Sequence, residues 1–323
     1  MSVAAGVATA LLVLAGPAFA DPTPAATATD GPFTMKLTRP WHVGDTVTER
    51  IYARQSREVT GTLGGRVFRH VQTYRELVAV VRTHVVSASV RQRTAHLHVQ
   101  ILSLEGRTAR DARRTPQSLG GVGLEVTWNP KLTVVRTDGK HLTESELPYV
   151  DLLCRDSASD ERGAPDSGDD RGIDGETDDA IFGPSGPVRI GDTWTADTEK
   201  MAAFLSGRGA LFVSMNDMAT LFSLDARKMV NGVDCLILHG SVDSNHIAPR
   251  PGESLRMHDI SGKLHGEFAY AVPVDTKKRV MRSGADLEMT LSGKIDLPQG
   301  GIADVLVQMT QQGEATTLPD SGH

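Results

Sequence analysis

The histidines are the residues whose spacing comes nearest to a chemistry. His96 and His98 alternate, so on a strand both rings leave one face and could together hold a metal ion. His239, His246, His258 and His265 form a second set of candidates. Neither set has a zinc signature: there is no C-x-x-C and no H-E-x-x-H, and alternating histidines also mark a solvated strand face. Carboxylates crowd residues 166–179, where Asp174-Gly175 matches the centre of a calcium-binding EF-hand loop, but the rest of that spacing fails. Ser185, in Phe182-Gly183-Pro184-Ser185-Gly186, does not form a G-x-S-x-G elbow. Ser261-Gly262-Lys263 and Ser292-Gly293-Lys294 lack phosphate-loop spacing and read as strand turns. No catalytic, metal or cofactor residue is therefore expected, and a non-enzyme is favoured over an enzyme.

Cys154 and Cys235 carry no thiol-enzyme motif. A disulfide between them would close a long loop, worth roughly 4–5 kcal/mol at most. The alternative is two separately buried thiols, because Val233-Asp234-Cys235-Leu236-Ile237-Leu238 reads as a core strand. An oxidising compartment would permit the bond. Residues 1–20 point to one: an apolar run, a Gly16-Pro17 break and Ala18-Phe19-Ala20 together read as a secretory signal, though no Lys or Arg precedes the run. The run is too short for a membrane-spanning helix, and no later segment is apolar enough for one. The expected location is periplasmic or extracellular.

The elements that must position these residues are mostly strands. Residues 70–90 and 91–104 alternate, with Leu77, Ala79 and Val81 on one face of the first and His96, His98 and Gln100 on the polar face of the second. Further strands are expected at 46–53, 124–128, 132–136, 188–195, 220–229, 232–242, 256–274, 278–295 and 302–312. Gly61, Gly64 and Gly65 make 55–69 a loop or loose hairpin, and 106–123 a loop. Two short helices are expected: one from a Thr143 cap towards Cys154, the other over 197–205 behind Asp197 or Thr195. The chain then divides into a signal (1–20), a flexible leader (21–40), a first β-rich half (41–154), an acidic linker (155–180), a second β-rich half (181–313) and a tail (314–323). Residues 36–154 hold 18 basic and 11 acidic residues, and 155–180 hold 3 and 10. The basic residues are scattered, so no nucleic acid is expected as a partner.

Two strings mark the halves. Val43-Gly44-Asp45-Thr46-Val47 and Ile190-Gly191-Asp192-Thr193-Trp194 both read as a turn that launches a strand, with glycine free to take positive φ and Asp bonding nearby backbone N–H groups. The run Gly123 to Trp128 has a looser match in Gly266 to Tyr270, so an internal duplication is expected. Ile190 to Trp194 resembles the V-G-D-[ST]-W strand start of a loose class of secreted bacterial β-rich proteins; the copy at Val43 lacks the Trp. The motif transfers no catalytic residue. Long curved sheets with a helix against them are, more remotely, similar to periplasmic lipoprotein-carrier folds, which implies binding of acyl chains.

The fold expected is mainly β: two related halves of long antiparallel, curved sheet with one short helix each. The role expected is that of an exported non-enzymatic protein that binds an apolar ligand or serves as an envelope component. A hydrolase with an unfamiliar site and a protein-interaction module built on the Arg-bearing strands are the alternatives.

Overall fold

The alternation of apolar and polar residues sets the architecture. In the computed structural model, which describes residues 31–37, 42–63, 65–89, 94–111, 113–129, 131–157, 178–207, 211–249, 257–296 and 301–319, one large antiparallel curved sheet dominates. The segment expected to be a signal, 1–20, and most of the expected acidic linker lie outside these residues.

The first half contributes β1 (Thr46–Leu63), β2 (Arg66–Ser89), β3 (Thr94–Thr108), the short β4 (Thr115–Pro116), β5 (Gly123–Asn129) and β6 (Lys131–Arg136), followed by α1 (Leu147–Ser157). The second contributes α2 (Asp178–Phe182), β7 (Thr193–Trp194), α3 (Thr198–Gly207), β8 (Leu211–Val213), β9 (Met218–Val230), β10 (Val233–Ser244), β11 (Ile247–Pro249), β12 (Met257–Pro273), β13 (Arg282–Asp296) and β14 (Ile302–Thr317). The main sheet runs β6-β5-β3-β2-β1-β14-β13-β12-β10-β9-β7, with β4 beside β3, while β8 and β11 pair separately. The two halves therefore share one sheet, each as a meander, joined where β14 pairs β1 from Glu49↔Thr317 to Thr62↔Asp304.

One face of this sheet is apolar. Leu77, Ala79, Val81 and Val85 of β2 are buried there, next to Ile51 and Ala53 of β1 and Ile101 and Leu104 of β3. Leu264, Phe268 and Val272 of β12 and Leu287 and Leu291 of β13 continue it. The opposite face carries the alternate residues, among them His98, Glu125, His265 and Glu267. A one-residue register slip would exchange the two sets, so burial of one face fixes the register.

Of the two readings for 55–69, a loop or a loose hairpin, the structure has the hairpin: β1 and β2 pair to Leu63↔Arg66, with a register shift between Arg57 and Glu58. Conversely, the strand expected over 188–195 shrinks to Thr193–Trp194 plus a bridge between Val188 and Phe33. The Asp192 turn occupies the middle of that segment. β14 extends through Thr317 because its last residues pair with β1.

The helices cover the apolar face. At the start of α1, Thr143 N donates to Glu146 Oε2 at 2.9 Å, while Glu146 N donates back to Thr143 O at 3.0 Å. This reciprocal cap satisfies backbone groups that the first turn leaves open. Tyr149, Val150, Leu152 and Leu153 then pack on the first half of the sheet. Gly106 makes the contact close: a Cβ there would stand 2.3 Å from Tyr149 Cε1. Asp197 caps α3 by accepting from Glu199 N and Lys200 N at 3.1 and 3.2 Å. α2 is a third, short helix beyond the two expected, and it places Ile181 and Phe182 in the core of the second half. Of the leader, residues 31–37 dock there too, with Phe33 bridged to Val188 and Leu37 buried beside Asp179, which accepts from its backbone N–H.

Candidate functional site

The two marker turns have the same hydrogen-bond pattern. Gly44 and Gly191 both sit at φ +92°. Asp45 N donates to His42 O, and Asp192 N to Arg189 O, each at 3.0 Å. The carboxylates accept in return, from His42 N at 2.8 Å and Arg189 N at 2.7 Å. Each turn is then clamped to a strand, Gly44 and Asp45 to Val85, and Gly191 and Asp192 to Leu224. The glycine and aspartate of each motif are thus spent on backbone geometry. Trp194 is partly buried; its Nε1 donates to Phe182 O at 2.8 Å and its ring stacks on Phe222.

Most of the apolar face falls into two clusters, with Val47 and Val85 in a small one of their own. The smaller of these two, of the first half, joins α1 to β1, β2, β3 and β5 and is built from aliphatic side chains with Tyr149 and Cys154. The larger, of the second half, gathers Phe182, Phe222 and Phe268 against Leu, Val and Ile from β9 to β14. Phe182 is its hub, with ring centroids of Phe204, Phe222, Phe268 and Tyr270 between 5.1 and 6.1 Å. Gly240 leaves room for the Phe222 ring, which a Cβ there would meet at 2.0 Å. Among the described residues, Met35, Met201, Met218, Met257, Met289 and Met309 belong to this cluster, and the smaller cluster has no methionine. Met201 is fully buried, and the other five are partly buried and pack against the cluster.

Cys154 and Cys235, whose pairing the sequence leaves open, belong to different clusters. Both thiols are buried, Cys154 on α1 in the smaller cluster and Cys235 among Ala271 and Met281 in a separate patch. Burial pushes the Cys235 thiol up to about 11, assisted by the adjacent Asp234, so at neutral pH it stays protonated and weakly nucleophilic.

The polar face brings the histidines to carboxylates. His265 Nδ1 lies 2.8 Å from Asp243 Oδ1, and that hydrogen bond holds the imidazole above its usual range. His258 pairs with Asp296 at 3.4 Å, and off the sheet His246, just before β11, pairs with Asp217 in the turn before β9 at 2.7 Å. His239 contacts Asp225, which also accepts from Ser223. In that trio the carboxylate stands between hydroxyl and imidazole, whereas activation of a serine needs the imidazole in the middle. His96 and His98 do converge, and on an acid that spacing alone did not reveal: Glu125 of β5, directly opposite His98. Sequence alternation places all three on polar faces, but only strand order makes them neighbours.

A second polar group was not anticipated. Glu76 is buried on this face, accepting from Tyr74 Oη at 2.8 Å and from Arg107, with Arg114 3.7 Å away. Burial alone would raise its carboxyl, but the Tyr74 and Arg107 hydrogen bonds outweigh it and hold the group below the usual glutamate range. The Arg107 guanidinium also sits 5.1 Å over the Tyr74 ring.

These features define an antiparallel β-sheet protein with one helix-covered apolar face and one polar face. No family model matches the sequence, and no curated protein matches it. Among solved structures it is similar to lipovitellin, described for its lipid–protein interactions, at 9% identity and a TM-score of 0.34 over 88% of this chain and 26% of that one. It is also similar to OpdQ of Pseudomonas aeruginosa, at 7% identity and a TM-score of 0.21 over 85% and 98%. The chain thus spans about a quarter of the lipovitellin chain. No helix among the described residues is long and apolar enough to cross a membrane.

Proposed function

We propose that this chain is an exported β-sheet binding protein that takes an apolar ligand, such as an acyl chain, against the helix-bearing face of its second half. The observation that carries this reading is the distribution of methionine. Six of the ten methionines gather on the larger cluster. A cluster that needed only to be filled could use branched aliphatics, as the smaller one does. Methionine is unbranched and polarizable, and it adapts to irregular apolar partners. The short helices α2 and α3, with the docked segment 31–37, lie over this cluster and could separate from the sheet at less cost than any paired strand.

The test is native mass spectrometry of the exported protein, purified without detergent, followed by titration with a fluorescent fatty acid. A bound apolar mass, or saturable uptake that falls when Met289 and Met309 are both changed to Asn, is the expected result. A ligand-free protein with no saturable uptake would overturn the reading. N-terminal sequencing of the same material would show a start at Asp21 if the signal at 1–20 is removed.

A further inference from the structure

We propose that His96, His98 and Glu125 form a binding site for a divalent transition-metal ion of the zinc class, on the polar face of the sheet. The site rests on no property of the apolar cluster.

β3 presents His96 and His98 on one face because strand side chains alternate, and β5 brings Glu125 directly opposite His98. His98 Nε2 stands 3.4 Å from Glu125 Oε1, and His96 Nε2 stands 3.8 Å from Glu125 Oε2. One ligand atom from each of the three residues lies within 4.8 Å of the others. Zinc binds imidazole nitrogen and carboxylate oxygen at about 2.0–2.2 Å, so tetrahedral ligands stand about 3.4 Å apart. The His98–Glu125 separation already meets this; His96 faces the other oxygen of the same carboxylate, and rotation of the rings about their side-chain torsions would bring ligand atoms that now lie within 4.8 Å of one another onto one ion. The rings stand edge to face, 5.4 Å between centroids and 76° between planes, so both can turn a nitrogen towards one point.

A second observation points to a ligand. His96 Nε2 is buried from solvent yet has no hydrogen-bond partner. Buried polar atoms are normally satisfied, and an orphaned ring nitrogen aimed at a carboxylate is explained by an ion between them. Two imidazoles and one carboxylate are also the donor set that suits zinc and its neighbours rather than magnesium or calcium, which prefer oxygen alone. His84 of β2 lies opposite His98 with its Nδ1 2.9 Å from Thr46 Oγ1, but the ligand atoms that converge within 4.8 Å are those of His96, His98 and Glu125, so these three form the set and solvent completes the coordination. The other histidine–carboxylate pairs of this face, at His239, His258 and His265, each offer one imidazole only, which makes them the internal comparison.

The test is calorimetric titration of the untagged full chain with Zn2+, paired with the visible spectrum of the Co2+ form. One equivalent should bind to the wild type with a four- or five-coordinate Co2+ spectrum. His98→Ala and Glu125→Gln should each weaken that binding at least tenfold and abolish the spectrum, while His265→Ala leaves both unchanged. Glu125→Gln keeps the side-chain shape, so a folding defect in the alanine variant would not decide the matter. Absence of a one-to-one event in the wild type, or binding retained in both variants, would overturn the proposal. Neither outcome bears on uptake of apolar ligand.

Discussion

Glu146 is a carboxylate with three structural partners. It accepts from Thr143 N, from Ser118 Oγ at 2.8 Å and from Arg136 Nη1 at 2.9 Å, while almost wholly buried. Burial alone would raise its carboxyl, but these bonds outweigh it and hold the group below the ordinary glutamate value of 4.5. Its stabilising contribution is therefore complete above that value and is lost as pH falls through the lowered one. Glu146→Gln should cost roughly 1.5–3 kcal/mol at neutral pH. The gap between variant and wild type should close in acid; urea midpoints at a series of pH values measure it, and a pH-independent gap would refute the assignment. Gly44 and Gly191 make a paired case, since both hold φ +92°. Alanine at either should cost about 1–2 kcal/mol, because a Cβ clashes in left-handed backbone. Equal losses are expected from equal turns. The Gly-Asp pairs were legible as turns because glycine and aspartate each have a specific role there. Glu125 was not legible as a partner of His98, because its neighbours depend on which strands meet.

At the scale of elements, α1 is held by a notch as well as a cap. Gly106 faces Tyr149 so closely that even one methyl group would overlap the ring. Gly106→Ala should destabilise by about 1–3 kcal/mol, the usual range for overpacking. Combined with Tyr149→Ala, the glycine substitution should cost much less than it does alone, since the clash has gone. A double-mutant cycle in denaturant reads this, and strict additivity would show that the notch does not seat the helix. The start of α1 was visible in the sequence, because Thr143 and the acids after it carry a local capping signal. The period of two likewise exposed the strands, with Leu287, Met289 and Leu291 on one side and Asp286, Glu288 and Thr290 on the other. The strand expected over 188–195 exceeded what pairs, since Ile190 to Asp192 form the turn itself. α2 escaped detection because five residues are too few to show a helical period, and its helix is fixed by Phe182 entering the aromatic cluster.

For the whole molecule, the seam between β1 and β14 decides whether the halves can stand apart. They pair over fourteen registered positions, beside Ile51↔Ala315 and Val59↔Val307, and both strands are interior to the sheet. Separating the halves would expose two long edges at once, each a row of unpaired backbone groups open to association. No sequence signal announces this seam, because both strands alternate as well as any other and their partners lie far apart along the chain. Local pattern gives strands and faces; strand order is set by long-range pairing that only the folded chain displays. If the seam is structural, residues 31–157 and 178–319 expressed as separate chains should each aggregate or self-associate, and co-expression should yield a soluble one-to-one complex. Pro substitution at Ala53, which is buried and sits opposite Gly313 in the seam, should prevent that complex, because an interior strand cannot lose a ladder donor without cost. Two halves that are separately monomeric, each with a strand-rich circular dichroism spectrum, would show instead that each meander closes its own core and that β1 and β14 only abut.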